Sequence, residues 1–499
     1  MDNSRRNFLR KSAFLGTGIL ATSRAGAFQH EHHQEQQQTA LLSGPASSPA
    51  ASVPVTCPDL GKLPWTMDNG IKVFRLTAEV IKRQILPDSA MMTGKTLDLW
   101  GYNGSAPGPA IEVNQGDRVR IIFENKLPEH TTIHWHGLEV PVEMDGTPYI
   151  SQPPINPGET FTYEFTLHQS GTFFYHSHGA MQEMMGMIGL FIIHPKTPHQ
   201  PAVQKDFGLI LQEWAVLPNN TVPNSFAMEY NWLTINGKSA PATTPLIVKL
   251  GERIRIRLVN MGMDHHPIHI HGNQFYVTGT EGGRIPQSAW YPGNTVIVGV
   301  AQARDIEFDA VRAGDWMLHC HMPHHMMNQM MSMAGPMTRG GHGMHTGMGM
   351  EEGMGMVREG SATAENLGPG LGRGMGVAVD RERAVSDSVG PQQPASRQHM
   401  QQGLGAKAIG EDAKTRVPGY PQDEMMMMME MDKEVARPEN NGLPAGWSSS
   451  MQGMMSLIRV LPADKYDKIM ADIKEGRIEP PTGQHDMHNM PNMEHHHHE

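Results

Sequence analysis

Two stretches of this chain repeat one another, and the repeat limits what it can fold into. Gly116-Asp117-Arg118-Val119-Arg120-Ile121 reads like Gly251-Glu252-Arg253-Ile254-Arg255-Ile256. Eighteen residues after each glycine comes His-x-His-Gly, first as His134, His136 and Gly137, then as His269, His271 and Gly272. Pro157-Gly158 matches Pro292-Gly293 at the same offset, and Gly171 precedes His176-Ser177-His178 as Gly314 precedes His319-Cys320-His321. Self-similarity over most of a domain's length means two copies of one structural unit. Within the units, short apolar–polar alternations are separated by Gly, Pro and Asn turns. The run Arg253 to Leu258 is the cleanest, with the period of two expected of a strand with one buried face. The chain therefore reads as all-β, with two sandwich-like domains at 68–197 and 203–335.

The rest reads differently. Ser4-Arg5-Arg6-Asn7-Phe8-Leu9-Arg10 is a twin-arginine pattern followed by a short apolar run from Ala13 to Ala21 and a small-residue cleavage site at Ala25-Gly26-Ala27. Residues 1–27 thus read as an export signal, which places the protein in the periplasm or outside the cell. No other segment is long and apolar enough to suggest a membrane span. Residues 28–67 read as a polar, Pro/Ala/Ser-rich linker, with Cys57 a free thiol in that arm. Residues 336–449 read as a disordered Met/Gly-rich linker. Residues 450–480 read as a short helical segment whose apolar residues are Leu457, Ile458, Val460, Leu461, Ile469 and Ile473, and 481–499 as a His/Met-rich tail. A net charge of -11 argues against nucleic acid as a partner. Only two cysteines are present, so there is no disulfide framework.

Chemistry concentrates in four clusters: His134-Trp135-His136, His176-Ser177-His178, His266-Pro267-Ile268-His269-Ile270-His271, and His319-Cys320-His321 followed by His325 and Met330. Imidazole suits copper, and two histidines with a cysteine and a weak axial methionine make a blue-copper ligand set. A structural zinc site takes four ligands, which leaves most of these histidines unexplained. In an extended strand, residues i and i+2 share a face and i+1 takes the other. Cys320 would then bind one metal ion while His319 and His321 bind others behind it. In the first copy Ser177 stands for Cys320, Gln182 for His325 and Thr131 for His266, while Met187 matches Met330. Only the second domain should therefore hold a mononuclear blue copper.

This pattern resembles the multicopper oxidases, the family of laccases, ascorbate oxidase and copper efflux oxidases, over roughly residues 70–335. The resemblance implies Greek-key β-sandwich domains of the cupredoxin kind and four coppers per chain. It implies type 1 copper on His266, Cys320, His325 and Met330, type 2 on His134 and His269, and a type 3 pair on His136, His176, His178, His271, His319 and His321. About one domain's length separates the second and third motifs, as in two-domain laccases, which are homotrimers with the three-copper cluster between subunits. Each domain supplies four of the eight cluster histidines, so two domains must meet. The reaction implied is one-electron oxidation of a small reductant coupled to reduction of O₂ to water. The stretch from His134 to Gly146 is similar to that of copper efflux oxidases, which implies a proton-relay role for Asp145.

Methionines cluster after the second motif (Met181, Met184, Met185, Met187) and around the last (Met322, Met326, Met327, Met330, Met331, Met333), and further runs lie at 337–356 and 425–431. Soft thioethers select Cu(I), so the reductant reads as Cu(I) in copper tolerance or a phenol as in laccases. Met326 stands where copper efflux oxidases usually carry an acid, and Gln329 replaces a common glycine. Two other readings are a periplasmic copper-sequestering protein acting through its Met/His-rich tails and a relative of copper nitrite reductase. Ser177 argues against the latter, which needs its thiolate in the first domain.

Overall fold

The computed structural model describes residues 52–88, 94–216, 220–224, 230–326 and 431–482. The first domain is built from β2 (Trp65–Asp68), β3 (Ile71–Leu86), β4 (Lys95–Tyr102), β5 (Ile111–Asn114), β6 (Arg118–Asn125), β7 (Ile133–His136), β8 (Thr160–Thr166), β9 (Gly171–Ser177), helix α1 (Ala180–Met184) and β10 (Ile188–His194). The second comprises β11 (Lys205–Trp214), β12 (Trp232–Ile235), β13 (Leu246–Lys249), β14 (Arg253–Asn260), β15 (His266–Ile270), β16 (Phe275–Thr280), β17 (Gly283–Arg284), β18 (Tyr291–Gly293), β19 (Thr295–Val298), β20 (Gln302–Asp309), β21 (Gly314–Cys320), β22 (Met455–Leu461) and α2 (Ala463–Glu475). Ahead of both, β1 (Val55–Thr56) pairs in parallel with β11.

Each domain is a sandwich of two sheets. In the first, β2-β3-β6-β8 with β4 faces β5-β10-β9-β7. In the second, the sheet containing β11-β14-β20-β16 faces β13-β22-β21-β15-β19. The repeat is visible in the pairing: β3 runs parallel to β6 as β11 does to β14, and β7 is antiparallel to β9 as β15 is to β21. Alternation sends Val119, Ile121 and Phe123 into the first core and Ile254, Ile256 and Leu258 into the second.

The last strand departs from the sequence reading. Residues 455–461 form a buried central strand between β13 and β21, and only 463–475 are helical. Every residue of β22 is buried, so its apolar run carries no alternation, and periodicity does not separate such a run from a buried helix. Residues 431–449, read as linker, are also packed: Met431 and Val435 lie against Trp214 and Trp232, and Leu443 against Met451. Segments of turns and single 3₁₀ turns leave no periodic trace. Cys57 is likewise no free arm. It is buried with Val55, Leu190 and Ile210, and burial pushes its thiol up to about 12. The export signal, the methionine runs between Met327 and Met429 and the tail beyond Thr482 lie outside the described residues.

A buried ionic seam joins the domains. Arg257 holds Asp206 at 2.8 Å and donates to Thr172 of β9 at 2.7 Å, and Thr172 in turn donates to Asp305 at 2.6 Å. Arg255 and Arg284 meet Glu307 at 2.8 and 2.5 Å.

Candidate metal centre

Three ligand atoms converge beneath the second domain's core. Cys320 Sγ lies 3.3 Å from His325 Nδ1 and 3.7 Å from His266 Nδ1, and the two ring nitrogens are 3.2 Å apart. All three side chains are buried. Burial pushes the Cys320 thiol up to about 12 and, with the adjacent His266, pulls His325 down to about 3. A neutral imidazole keeps its lone pair, and a buried thiol loses its proton to a bound metal ion. The donor set therefore fits copper.

The same place in the first domain is closed by hydrogen bonds. Ser177 Oγ donates to Gln182 Oε1 at 2.5 Å, Thr131 Oγ1 donates to the same oxygen at 2.7 Å, and the two hydroxyls are 3.1 Å apart. Three small polar groups occupy the position of two imidazoles and a thiol, so the side chains that sequence alignment pairs are also paired in space.

Behind each of these places sits a histidine quartet. His134, His136, His176 and His178 make ring contacts with centroids 5.3–6.4 Å apart. His269, His271, His319 and His321 do the same at 5.1–5.6 Å. His319 and His321 belong to the quartet while Cys320, between them, belongs to the other cluster, as strand geometry requires. Carbonyls set the tautomers, since a carbonyl only accepts. His134 Nδ1 donates to Asp145 O at 2.8 Å and His269 Nδ1 to Asn294 O at 2.7 Å. His176 and His319 Nδ1 donate to the carbonyls of Ser177 and Cys320 at 2.8 and 2.9 Å. Each of these rings keeps Nε2 free for a metal. His136 Nδ1 then meets His176 Nε2 at 3.3 Å, and His271 Nε2 meets His319 Nε2 at 3.0 Å. Burial and the neighbouring histidines lower His136 to about 4, and they lower His271 as well.

Among the described residues, no ring contact or hydrogen bond joins a histidine of one quartet to one of the other. The second quartet opens into a depression lined by His269, His271, Asn273, Asn294, Thr295 and Arg312. Asp145 closes the 3₁₀ turn Val142–Met144, with its carboxylate 3.5 Å from His134 Nδ1 and accepting from Thr147 Oγ1 at 2.7 Å. Gly146 follows at φ +88°, and a methyl there would collide with the Ile133 carbonyl. Only glycine lets this turn press so closely on the histidine strand.

Met330 lies outside the described residues, and the structure gives Met187 a different counterpart. Ser177 N donates to Met187 O at 3.2 Å, and Cys320 N donates to Met454 O at 3.0 Å. His176 pairs with Ile188 as His319 pairs with Met455, and Phe191 pairs with Ile111 as Ile458 pairs with Leu246. Both registers place Met454 where Met187 stands. Met454 is fully buried in the core cluster containing Cys320, and its N–H donates to His325 O at 2.9 Å. The signal was in the sequence: Gly186-Met187-Ile188 and its apolar run recur as Gly453-Met454-Met455. Of the methionines around the motifs, Met184, Met322 and Met326 pack against cores, while Met181 and Met263 are exposed.

Comparison with known proteins follows the same division. Two family models, each described as Multicopper oxidase, match residues 86–198 and 215–334. The chain is 37% identical over 123 residues to copper resistance protein A of Escherichia coli, a match covering 25% of this chain and 20% of that protein. It is 31% identical over 245 residues to Laccase-2 of Botryotinia fuckeliana, covering 44% of this chain and 41% of that one. It thus spans from a fifth to two fifths of these relatives' length. Among solved structures, the blue copper oxidase of Nitrosomonas europaea shares 32% identity over 52% of this chain and 81% of that chain, with a TM-score of 0.47.

Proposed function

The chain belongs to the multicopper oxidase family, and from that premise we propose that it is a two-domain oxidase passing electrons from a small reductant to O₂. Copper bound at these ligands would supply one-electron transfer at the His266–Cys320–His325 site and reduction of O₂ at the two quartets. In this reading His266, Cys320 and His325 would hold type 1 copper, with Met454 in preference to Met330 supplying the thioether. His134 and His269 hold type 2 copper, and His136, His176, His178, His271, His319 and His321 the type 3 pair, giving four coppers per chain.

The observation that carries the reading is the division of His319-Cys320-His321 between two clusters. Three consecutive residues link the electron-accepting site to the histidine quartet through covalent bonds. The hydrogen-bonded Thr131–Ser177–Gln182 group leaves the first domain without a thiolate, which disfavours a nitrite reductase arrangement. The position of Asp145, beside His134 and partly exposed, supports a role in passing protons toward the quartets.

Among the described residues the two quartets lack contact with each other, which favours completion between subunits of a homotrimer. For the reductant, Asp264, His324 and His325 bring their ligand atoms within 4.8 Å of one another at the rim of the type 1 place, beside the exposed Met263. The exposed thioether of Met263, with the His324 imidazole near it, favours Cu(I) as the substrate, and copper tolerance as the role. The copper resistance relatives and the twin-arginine pattern support work in the periplasm. Among the described residues no helix is long and apolar enough to cross a membrane.

The test is O₂ uptake by copper-loaded protein with Cu(I) and with a methoxyphenol as donors, alongside copper stoichiometry. Four coppers per chain with uptake faster on Cu(I) is expected. A faster phenol rate would make it a laccase, and many weakly held ions without uptake would make it a copper sink.

A further inference from the structure

Glu213 stands near the end of β11, on the sheet opposite His266. Its side chain and that of His266 are wholly buried. Oε2 accepts from His266 Nε2 at 2.9 Å. Oε1 accepts from the backbone N–H of Asp264 at 2.9 Å and from that of Met263. Three donors thus converge on one carboxylate, which suits its acceptor-only form. The loop that receives it is shaped for it. Gly262 N donates to Asn260 Oδ1 at 2.8 Å, and Asn260 Nδ2 holds Asp264 O at 2.8 Å. A methyl group on Gly262 would collide with both carboxylate oxygens of Glu213. Glycine here is required by Glu213 and not by the backbone, since no left-handed φ is recorded at Gly262.

We propose that Glu213 is a positioning residue that holds His266 for the metal and keeps the reduction potential of the type 1 site low. The inference rests on the reading that His266, Cys320 and His325 hold type 1 copper. His266 points Nδ1 at Cys320 and His325, so its proton is on Nε2, and Glu213 Oε2 takes that hydrogen bond. A carboxylate on the far nitrogen of a ligating imidazole fixes the ring and raises its basicity. A buried negative charge also stabilises the more positive, oxidised state of the site, with little solvent to screen it. Both effects oppose reduction. The donor gives one electron to the site and Glu213 exchanges no proton in the step; it changes only how readily the electron is accepted. Strong reductants are then favoured over weakly reducing phenols.

Two variants test this on copper-loaded, full-length protein, by redox titration of the blue absorption. Glu213→Gln removes the charge, and Gly262→Ala keeps the charge but displaces it from His266. Each should raise the equilibrium constant for reduction roughly tenfold, ~59 mV for a one-electron couple, with the blue band retained. A wild-type protein with no blue band would overturn the type 1 reading itself. A blue wild type whose potential is unchanged or lowered in the variants would overturn the role of Glu213 alone. Gly262→Ala keeps the carboxylate in the chain and moves it off His266, so it decides the question if Glu213→Gln does not fold.

Discussion

At the scale of residues, this chain separates two jobs that its repeat began with in common. His266, Cys320 and His325 converge where Thr131, Ser177 and Gln182 bond only to each other and their neighbours. Cys320→Ser should therefore abolish the blue absorption and O₂ uptake while leaving copper at the quartets, giving about three coppers per chain by metal analysis. A serine hydroxyl offers no thiolate, so the site should not survive as a weaker copy. Met454 and Met330 are the two candidates for the thioether place at this site. If Met454 holds it, Met454→Leu shifts the blue band and raises the potential, while Met330→Leu changes neither. The reverse pattern would restore Met330. The histidines and the cysteine were legible from sequence because strand spacing and the repeat fix them together. Glu213 was not, because it reaches His266 from the opposite sheet across 53 residues of chain and belongs to no local pattern.

At the scale of elements, β22 is the piece that sequence reading placed wrongly. It supplies Leu457, Ile458, Val460 and Leu461 to the second sandwich between β13 and β21. Four such side chains at roughly 1.5–3 kcal/mol each approach the whole net stability of a domain, about 5–15 kcal/mol. Truncation after residue 430 should therefore leave domain 2 unfolded, seen as loss of its cooperative thermal transition and of blue absorption. A dispensable tail would leave both intact. The matched family models end at residue 334, before the strand that completes the sheet. The ionic seam carries a pH prediction. Burial alone would lift the Glu307 carboxyl, but the hydrogen bond from Arg284 and the charge of Arg255 outweigh it and hold Glu307 at about 2. Its ordinary value is near 4.5. The stabilisation is thus present in full above that pH and is lost as pH falls toward 2. Glu307→Gln should cost on the order of 3–5 kcal/mol at neutral pH, because it strands buried arginine charge. It should also flatten the fall of melting temperature between pH 5 and 3.

At the scale of the whole molecule, the two quartets do not touch among the described residues, and the proposed trimer would bring them together. In a ring of subunits, the first quartet of one would meet the second quartet of the next. Two inactive variants test this. His136→Ala spoils the first quartet and His271→Ala the second, and each alone should lose O₂ uptake. Mixed in one assembly, about a quarter of the interfaces would pair two intact quartets, so activity should return to roughly that fraction. No recovery after co-expression, or a monomeric mass by light scattering with four coppers bound, would place the cluster within the chain. The two-domain plan was legible from the repeat. Whether the quartets meet within or between chains was not legible from the residues themselves, because a sequence names the halves of a site without saying which molecule supplies each.

The place of β22 in the chain also sets a schedule. β21 ends at Cys320 and its neighbour begins at Met455, so the ribosome must make the residues between them before the sheet can close around the thiol. At about 5–20 residues per second, Cys320 waits roughly 7–27 s after synthesis with one flank of its strand bare. The sheet of the second domain thus closes only after the residues up to Leu461 have been made, and Cys320 stays open on one side until then.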